Sequence, residues 1–163
     1  MPIDVTPRGT RGFEPPRLPR PLMSAMIRTG LFVYRVLGDR MRVMGRPLLL
    51  LETFGARSGR RRMTMLGWFP DTPAEGWLVV ASFGGSARHP AWYLNMARHP
   101  DRIWVETGGR RLQVRAESLR GAERADAWQR IVALSPGYGR YQEKTDREIP
   151  IVRLSPVAQP SLT

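Results

Sequence analysis

The sequence predicts an α+β fold: an antiparallel barrel of about six strands with helices packed on its outside. Three observations predict it. Short apolar runs of strand length fill the middle of the chain and mostly follow one another without an intervening helix. Glycine and proline clusters separate those runs. Helical periodicity is confined to the flanks and one short insertion, giving the order helix, three strands, short helix, two strands, helix, short helix, strand. A doubly wound parallel sheet needs a crossover after every strand, and this order does not supply it.

Taken in order, residues 1–21 carry Pro2, Pro7, Pro15, Pro16, Pro19 and Pro21 with four arginines between them, which predicts an extended or disordered tail. In residues 22–45, Met23, Ile27, Leu31, Tyr34, Leu37, Met41 and Met44 recur at helical spacing, while Arg28, Arg35 and Arg42 fall seven apart on a second stripe. The amphipathic helix so predicted either packs on its own domain with a solvated basic face or lies on an anionic membrane surface. Residues 46–156 form the barrel domain. Leu48 to Phe54, Met63 to Phe69 and Trp77 to Ser82 read as three strands, with turns at Gly55 to Arg62 and Pro70 to Gly76. Pro90 to Arg98 is a short helix. Arg102 to Glu106 and Arg110 to Ala116 form a hairpin around Thr107-Gly108-Gly109. A helix from Arg120 or Gly121 runs to Leu134, a shorter one covers Tyr138 to Lys144, and Ile149 to Leu154 is the last strand. Residues 157–163 read as a loose tail.

Composition narrows the chemistry. The chain has 163 residues, enough for one domain with a real core. It contains no cysteine, so disulfides, thiolate metal sites and thiol catalysis are excluded. His89 and His99 are its only histidines, too few for a metal centre. The net charge is +12, almost all arginine, so the surface attracts anions. No nucleic-acid-binding signature accompanies that charge, and no nucleic-acid partner is expected. Neither a secretory signal nor an uninterrupted apolar run of spanning length is present, which points to the cytoplasm.

The most informative local feature is Gly55-Ala56-Arg57-Ser58-Gly59-Arg60-Arg61-Arg62, four arginines, a hydroxyl and two glycines between two strands. Glycines let backbone N–H groups turn toward an anion, and arginine forks fit phosphate or carboxylate. The competing reading is an exposed charged hairpin. Ser82-Phe83-Gly84-Gly85-Ser86 ends a buried strand, where the glycines would let a flat ring approach the backbone, or simply make a turn. Trp92 and Tyr93 just downstream are pocket wall or core. Tyr138 and Tyr141, three apart on one helical face, could donate a proton to an acceptor or could pack. No serine triad, carboxylate pair or metal constellation appears, so an enzyme of this kind borrows its reactivity from an organic cofactor.

Four blocks in order carry a resemblance: Leu48 through Gly59, Ala81-Ser82-Phe83-Gly84-Gly85, His89-Pro90-Ala91-Trp92-Tyr93-Leu94-Asn95, and Tyr141 through Val152. With them the chain resembles the deazaflavin (coenzyme F420)-dependent nitroreductase family over about two-thirds of its length. The resemblance implies a split β-barrel related to flavin-dependent pyridoxine-phosphate oxidases. It implies reduced F420 as coenzyme, and hydride transfer to a small acceptor such as a quinone or nitroaromatic compound. Arg57, Ser58 and Arg62 would meet the coenzyme's anionic tail, and Met63, Thr64 and Met65 would run under the deazaflavin. Ser82, Gly84, Gly85, Ala91, Trp92 and Asn95 would complete the cofactor cleft. Tyr138 and Tyr141, with Ser82 a lesser candidate, would serve the acceptor as catalytic groups.

One departure stands out: Phe83 occupies a position where the family often has lysine, so a cation is lost near the tail and a ring gained near the pocket. Arg60, Arg61 or Arg88 are the candidates to compensate. The departure also keeps a rival open, a non-enzymatic carrier of a fatty acid or other small ligand on the same barrel. The amphipathic helix would suit a membrane quinone, holding the protein peripherally on the inner face of the membrane.

Overall fold

The structure, a computed structural model, describes residues 3–43, 45–72 and 75–157. Pro2, Met44, two residues of the turn before Gly76, and the tail from 158 onward lie outside the described residues. The elements are α1 (Arg20–Leu37), β1 (Arg42–Val43), β2 (Arg46–Phe54), β3 (Arg61–Gly67), β4 (Phe69–Pro70), β5 (Trp77–Val80), α2 (Ala91–Arg98), β6 (Trp104–Thr107), β7 (Arg110–Ser118), α3 (Gly121–Leu134), α4 (Gly137–Lys144) and β8 (Ile151–Pro156). The α+β expectation holds. The six expected strands are present, and the additions are the two-residue β1 and a break at Trp68 that splits β3 from β4.

Every strand pairing is antiparallel. The sheet runs β1-β2-β6-β7-β8-β5-β4, with β3 on the second edge of β2. Only Trp68 separates β3 from β4, so the chain leaves the edge of β2 at Gly67, joins the edge of β5 at Phe69, and the sheet curls back on itself.

The sequence explains the curl. Leu48 to Leu51 is apolar at every position because both faces of β2 are covered. Leu49 and Leu51 point inward to a core shared with Val79, Tyr93, Met96, Ile103, Val105, Val152 and Leu154. Leu48 and Leu50 point outward beneath Tyr34, with Leu31, Met63 and Met65 beside it. Each such fully buried side chain contributes about 1.5–3 kcal/mol over its exposed state. A third cluster, Phe69, Leu78, Val80, Ala127, Ile131, Ile149 and Ile151, seats α3 and α4 on the other flank of the barrel.

Helix α1 corrects two expectations. It ends at Leu37 and not near residue 44, because Gly38 adopts φ +56° and turns the chain into a 3₁₀ turn. Arg42 therefore lies in β1 and does not extend the basic stripe. Leu31 and Tyr34 of α1 pack on β2, and the Tyr34 hydroxyl donates to the Glu106 carbonyl at 3.2 Å. Leu22, Met26, Phe32 and Val36 stay exposed.

The N-terminal segment is extended, as its prolines dictate, but it is docked. Ile3 joins the core, the Tyr93 hydroxyl donates to the Asp4 carbonyl, and His89 Nε2 donates to the Thr6 carbonyl at 2.7 Å. Gly9 N–H donates to Ala87 and Phe13 N–H to Gly85. The Asp146 carboxylate accepts from the Thr10 N–H at 2.8 Å, the Arg11 N–H at 3.0 Å and the Thr10 hydroxyl. These satisfied backbone groups make residues 3–13 a strap and not a free tail.

Candidate active site

The turn between β2 and β3 is a closed corner. Gly55 N–H donates to the Arg60 carbonyl at 2.9 Å, Gly59 N–H returns to the Gly55 carbonyl at 2.8 Å, and Arg60 N–H leans on Ser58 Oγ at 3.3 Å. Helix α2 braces it: the Asn95 Oδ1 accepts the Ala56 N–H at 2.9 Å, and Asn95 Nδ2 donates to Thr53 Oγ1 at 3.2 Å.

Corner, strand and helix enclose a cleft of about 520 Å³. Arg57, Ser58, Arg62, Met63, Thr64, Ala91, Trp92 and Asn95, all expected cofactor residues, line it together with Ile27, Gly55, Ala56 and Leu94. Strand register explains the mixture. Arg62 and Thr64 sit opposite Thr53 and Leu51, on the inner face, while Met63 sits opposite Glu52, on the outer face. The cleft thus wraps around the edge of β3 that β2 leaves unpaired. Ile27 reaches it from α1. Its place in the apolar stripe was visible in the sequence; only the way α1 lies across β3 turns it toward the cleft.

The four corner arginines are not equivalent. Arg61 donates to Glu52 Oε2 at 2.8 Å, and Arg111 grips the same carboxylate through two bonds of 3.1 Å. Burial works to raise the Glu52 carboxyl, and the hydrogen bonds and charges of Arg61 and Arg111 outweigh it, leaving its pKa below the ordinary value. Among the described residues Arg57, Arg60 and Arg62 form no ion pair. Two of them, Arg57 and Arg62, line a cleft whose walls are largely apolar, and Arg60 sits in the same turn without lining it. Arg61 is spent on Glu52 and does not replace the cation missing at Phe83.

The remaining expected site residues lie outside this cleft. Met65 packs under α1 with Tyr34 and Leu50. Ser82, Gly84 and Gly85 form a 3₁₀ turn whose backbone is already approached by protein. A Cβ at Gly84 would lie 3.3 Å from the Phe13 ring, and one at Gly85 would lie 2.6 Å from the Tyr141 carbonyl. The glycines admit the strap and α4 to the backbone, where a flat ring had been expected. Phe83 holds φ +46° in that turn, is 39% exposed, and does not line the cleft. Tyr138 packs edge-on against Phe69 at 5.6 Å, and Tyr141 against Tyr138 at 5.8 Å. Burial pushes the Tyr138 phenol above its ordinary pKa. Both tyrosines serve the α3–α4 flank. Sequence reading also passed over Arg147, which is 3% exposed and donates to the carbonyls of Ala81, Ser82 and Ser86, fixing this turn from below.

The cleft fits a flat, partly apolar group with an anionic extension. Its volume is in the range of cofactor sites, its floor offers Trp92, Met63 and Leu94, and its free cations sit at one end. Among the described residues no cluster of metal-ligating groups exists.

Comparison with known proteins gives the family. The model of the F420H(2)-dependent quinone reductase family matches residues 27–156. An F420H(2)-dependent quinone reductase of Mycobacterium tuberculosis is 35% identical over 129 residues, covering 76% of this chain and 85% of that protein. A solved F420-H2 dependent reductase (FDR-A) superposes with a TM-score of 0.59 at 37% identity, covering 68% of this chain and 95% of that one. A structure described as a domain-swapped dimer gives 0.60 at 33% identity, covering 83% and 99%. Fold, cleft and sequence likeness converge: the chain belongs to the F420H(2)-dependent quinone reductase family.

Proposed function

We propose that the chain binds reduced F420 in the cleft between the arginine corner and α2 and uses it to reduce a quinone. The observation that carries this reading is the pair of guanidinium groups, Arg57 and Arg62, that line an apolar cleft and form no ion pair among the described residues. The chain is an F420-dependent oxidoreductase by family; a fatty-acid carrier is not favoured.

Reduced F420, when bound, supplies a hydride from its deazaflavin ring. The chain's own part is to bind and orient. Arg57 and Arg62, with Ser58, hold the anionic tail. Met63, Thr64, Ala91 and Trp92 would wall the ring on the protein side and leave the other side open to acceptor and solvent. Quinone reduction takes up one hydride and one proton. No carboxylate, imidazole or phenol lines the cleft among the described residues, which favours solvent over Tyr138, Tyr141 or Ser82 as the proton source. The same open arrangement would accept a nitroaromatic compound as an incidental substrate.

A finer reading concerns where the quinone is met. No helix of the described residues is long and apolar enough to cross a membrane. Helix α1 exposes Leu22, Met26, Phe32 and Val36 beside Arg28 and Arg35, a composition suited to lying on an anionic bilayer. Its Ile27 would place the cleft mouth near lipid. Sedimentation with phosphatidylglycerol vesicles, lost with phosphatidylcholine and lost in Phe32→Ser, supports this peripheral location on the inner face; equal recovery in the supernatant under all three conditions removes it.

The reductase reading is tested by following oxidation of reduced F420 by a soluble naphthoquinone. Turnover at sub-saturating F420 that falls about tenfold with Arg57→Ala and with Arg62→Ala, while both variants keep the wild-type Tm, supports it. Absence of turnover in folded wild-type protein across a panel of quinones ends it.

A further inference from the structure

We infer that Asn95, which lines the cleft, is a positioning residue for the arginine corner and acts on the coenzyme through it, an inference that rests on the coenzyme reading only for its consequence. Asn95 is 6% exposed, and its side-chain amide is turned toward the chain. The orientation of that amide is fixed by chemistry: the Ala56 N–H is a donor, so the atom 2.9 Å from it is Oδ1, and Nδ2 must then face Thr53 Oγ1 at 3.2 Å. The two bonds straddle Gly55. One holds the last inward-facing residue of β2, itself 1% exposed, and the other holds the residue immediately before Arg57.

The corner needs such a brace. Arg57, Arg60 and Arg62 are like charges within six residues and have no carboxylate among them. Left to itself the loop would spread them apart, and their convergence on an anion would have to be organised at binding. Among the described residues, the turn between the ladder pair Phe54–Arg61 is closed, apart from Asn95, by its own bonds among Gly55, Ser58, Gly59 and Arg60. Helix α2, anchored in the core through Tyr93 and Met96, transmits its rigidity to the corner through one side chain. Removing that side chain strands the Ala56 donor and frees the loop.

The test has two readouts. In ligand-free protein, amide hydrogen exchange is measured on peptides spanning residues 54–62. Asn95→Ala should raise exchange there at least tenfold with the rest of the barrel unchanged, and Thr53→Val, which leaves the cleft lining intact, should raise it by a smaller factor. F420 affinity is then measured by fluorescence titration in a cycle of Asn95→Ala and Arg57→Ala. The two changes should be strongly non-additive: each weakens binding about tenfold, and the double variant is little worse than Arg57→Ala alone. Unchanged corner exchange in both Asn95→Ala and Thr53→Val overturns the inference, whatever the coenzyme does. Affinities that multiply overturn it in favour of direct contact. Should Asn95→Ala fail to fold, Thr53→Val decides alone: loosened exchange with weakened affinity supports the inference, and wild-type values of both defeat it. Should wild-type protein bind no F420, the coenzyme reading fails, and the exchange result still decides the role of Asn95.

Discussion

Arg61 and Glu52 face each other across β2 and β3 at 2.8 Å, and that pair separates one corner arginine from its three neighbours. Glu52 is buried and Arg61 is more than half exposed, so the pair is a partly solvated brace between strands. Arg61→Ala should cost about 1 kcal/mol, because Arg111 still compensates the buried carboxylate. Its effect on F420 affinity should be under threefold. Thermal melts and coenzyme titration of the same variant check both halves; a tenfold loss of affinity at unchanged Tm would place Arg61 on the ligand.

The strap depends on Asp146. Hydrogen bonds from Thr10 and from the Arg11 backbone hold its carboxyl at about 2, below its ordinary 3.8. A depressed carboxyl stabilises the folded state above its unfolded value and loses that contribution as pH falls through the folded one. The strap should therefore stay docked at pH 4 and release toward pH 2. The Thr10 amide resonance followed by NMR should titrate near the lower value. At neutral pH, Asp146→Ala should speed trypsin cleavage at Arg8 and Arg11.

Gly12 permits the strap's closest approach, since a Cβ there would lie 2.2 Å from the Ala87 backbone nitrogen. Neither backbone can yield cheaply, so Gly12→Ala should destabilise by about 1–3 kcal/mol. Denaturant titration measures this; a change under 0.3 kcal/mol would mean that residues 3–13 contribute little to the fold.

His89 sets a second pH limit. Burial lowers its pKa below the ordinary 6.5, and its Nε2–H is committed to the Thr6 carbonyl. The unfolded chain binds the proton first, so stability should decline as pH drops below about 6.5 and should be level above it. Tm measured across pH 5–8 checks the sign, and His89→Gln should flatten the profile.

Tyr138→Phe tests the tyrosine that spacing and the family resemblance offered as a proton donor. With Tyr138 packed on Phe69, the account expects kcat for quinone within about twofold of wild type. A loss of a hundredfold would return the phenol to the reaction.

The barrel was legible because period-two alternation and double-sided apolar runs report burial locally: Leu48 to Leu51 announces a strand covered on both faces. The corner was marked by four arginines and two glycines between two strands, a pattern that left an anion site and an exposed charged hairpin both open. What the sequence hid was long-range. Gly9 and Gly12 are glycines because of Asp146 and Ala87, far along the chain, so a proline-rich segment read as a tail turns out to be a strap. The three-residue spacing put Tyr138 and Tyr141 on one helical face, but only the docking of α4 showed which surface that face meets. Gly84 and Gly85 were rightly marked as a close approach, and the approaching groups were Phe13 and the Tyr141 carbonyl. Arg147 carried no local signal, since its three acceptors are backbone carbonyls that any sequence provides.

Fluorescence titration of F420 into wild-type, Arg57→Ala and Arg62→Ala proteins at two salt concentrations tests the central claim most directly. Saturable binding that weakens about tenfold in each variant, and weakens in wild type as salt screens the corner, is the predicted result. Variants that bind as tightly as wild type, or a folded wild type that binds nothing, would contradict it.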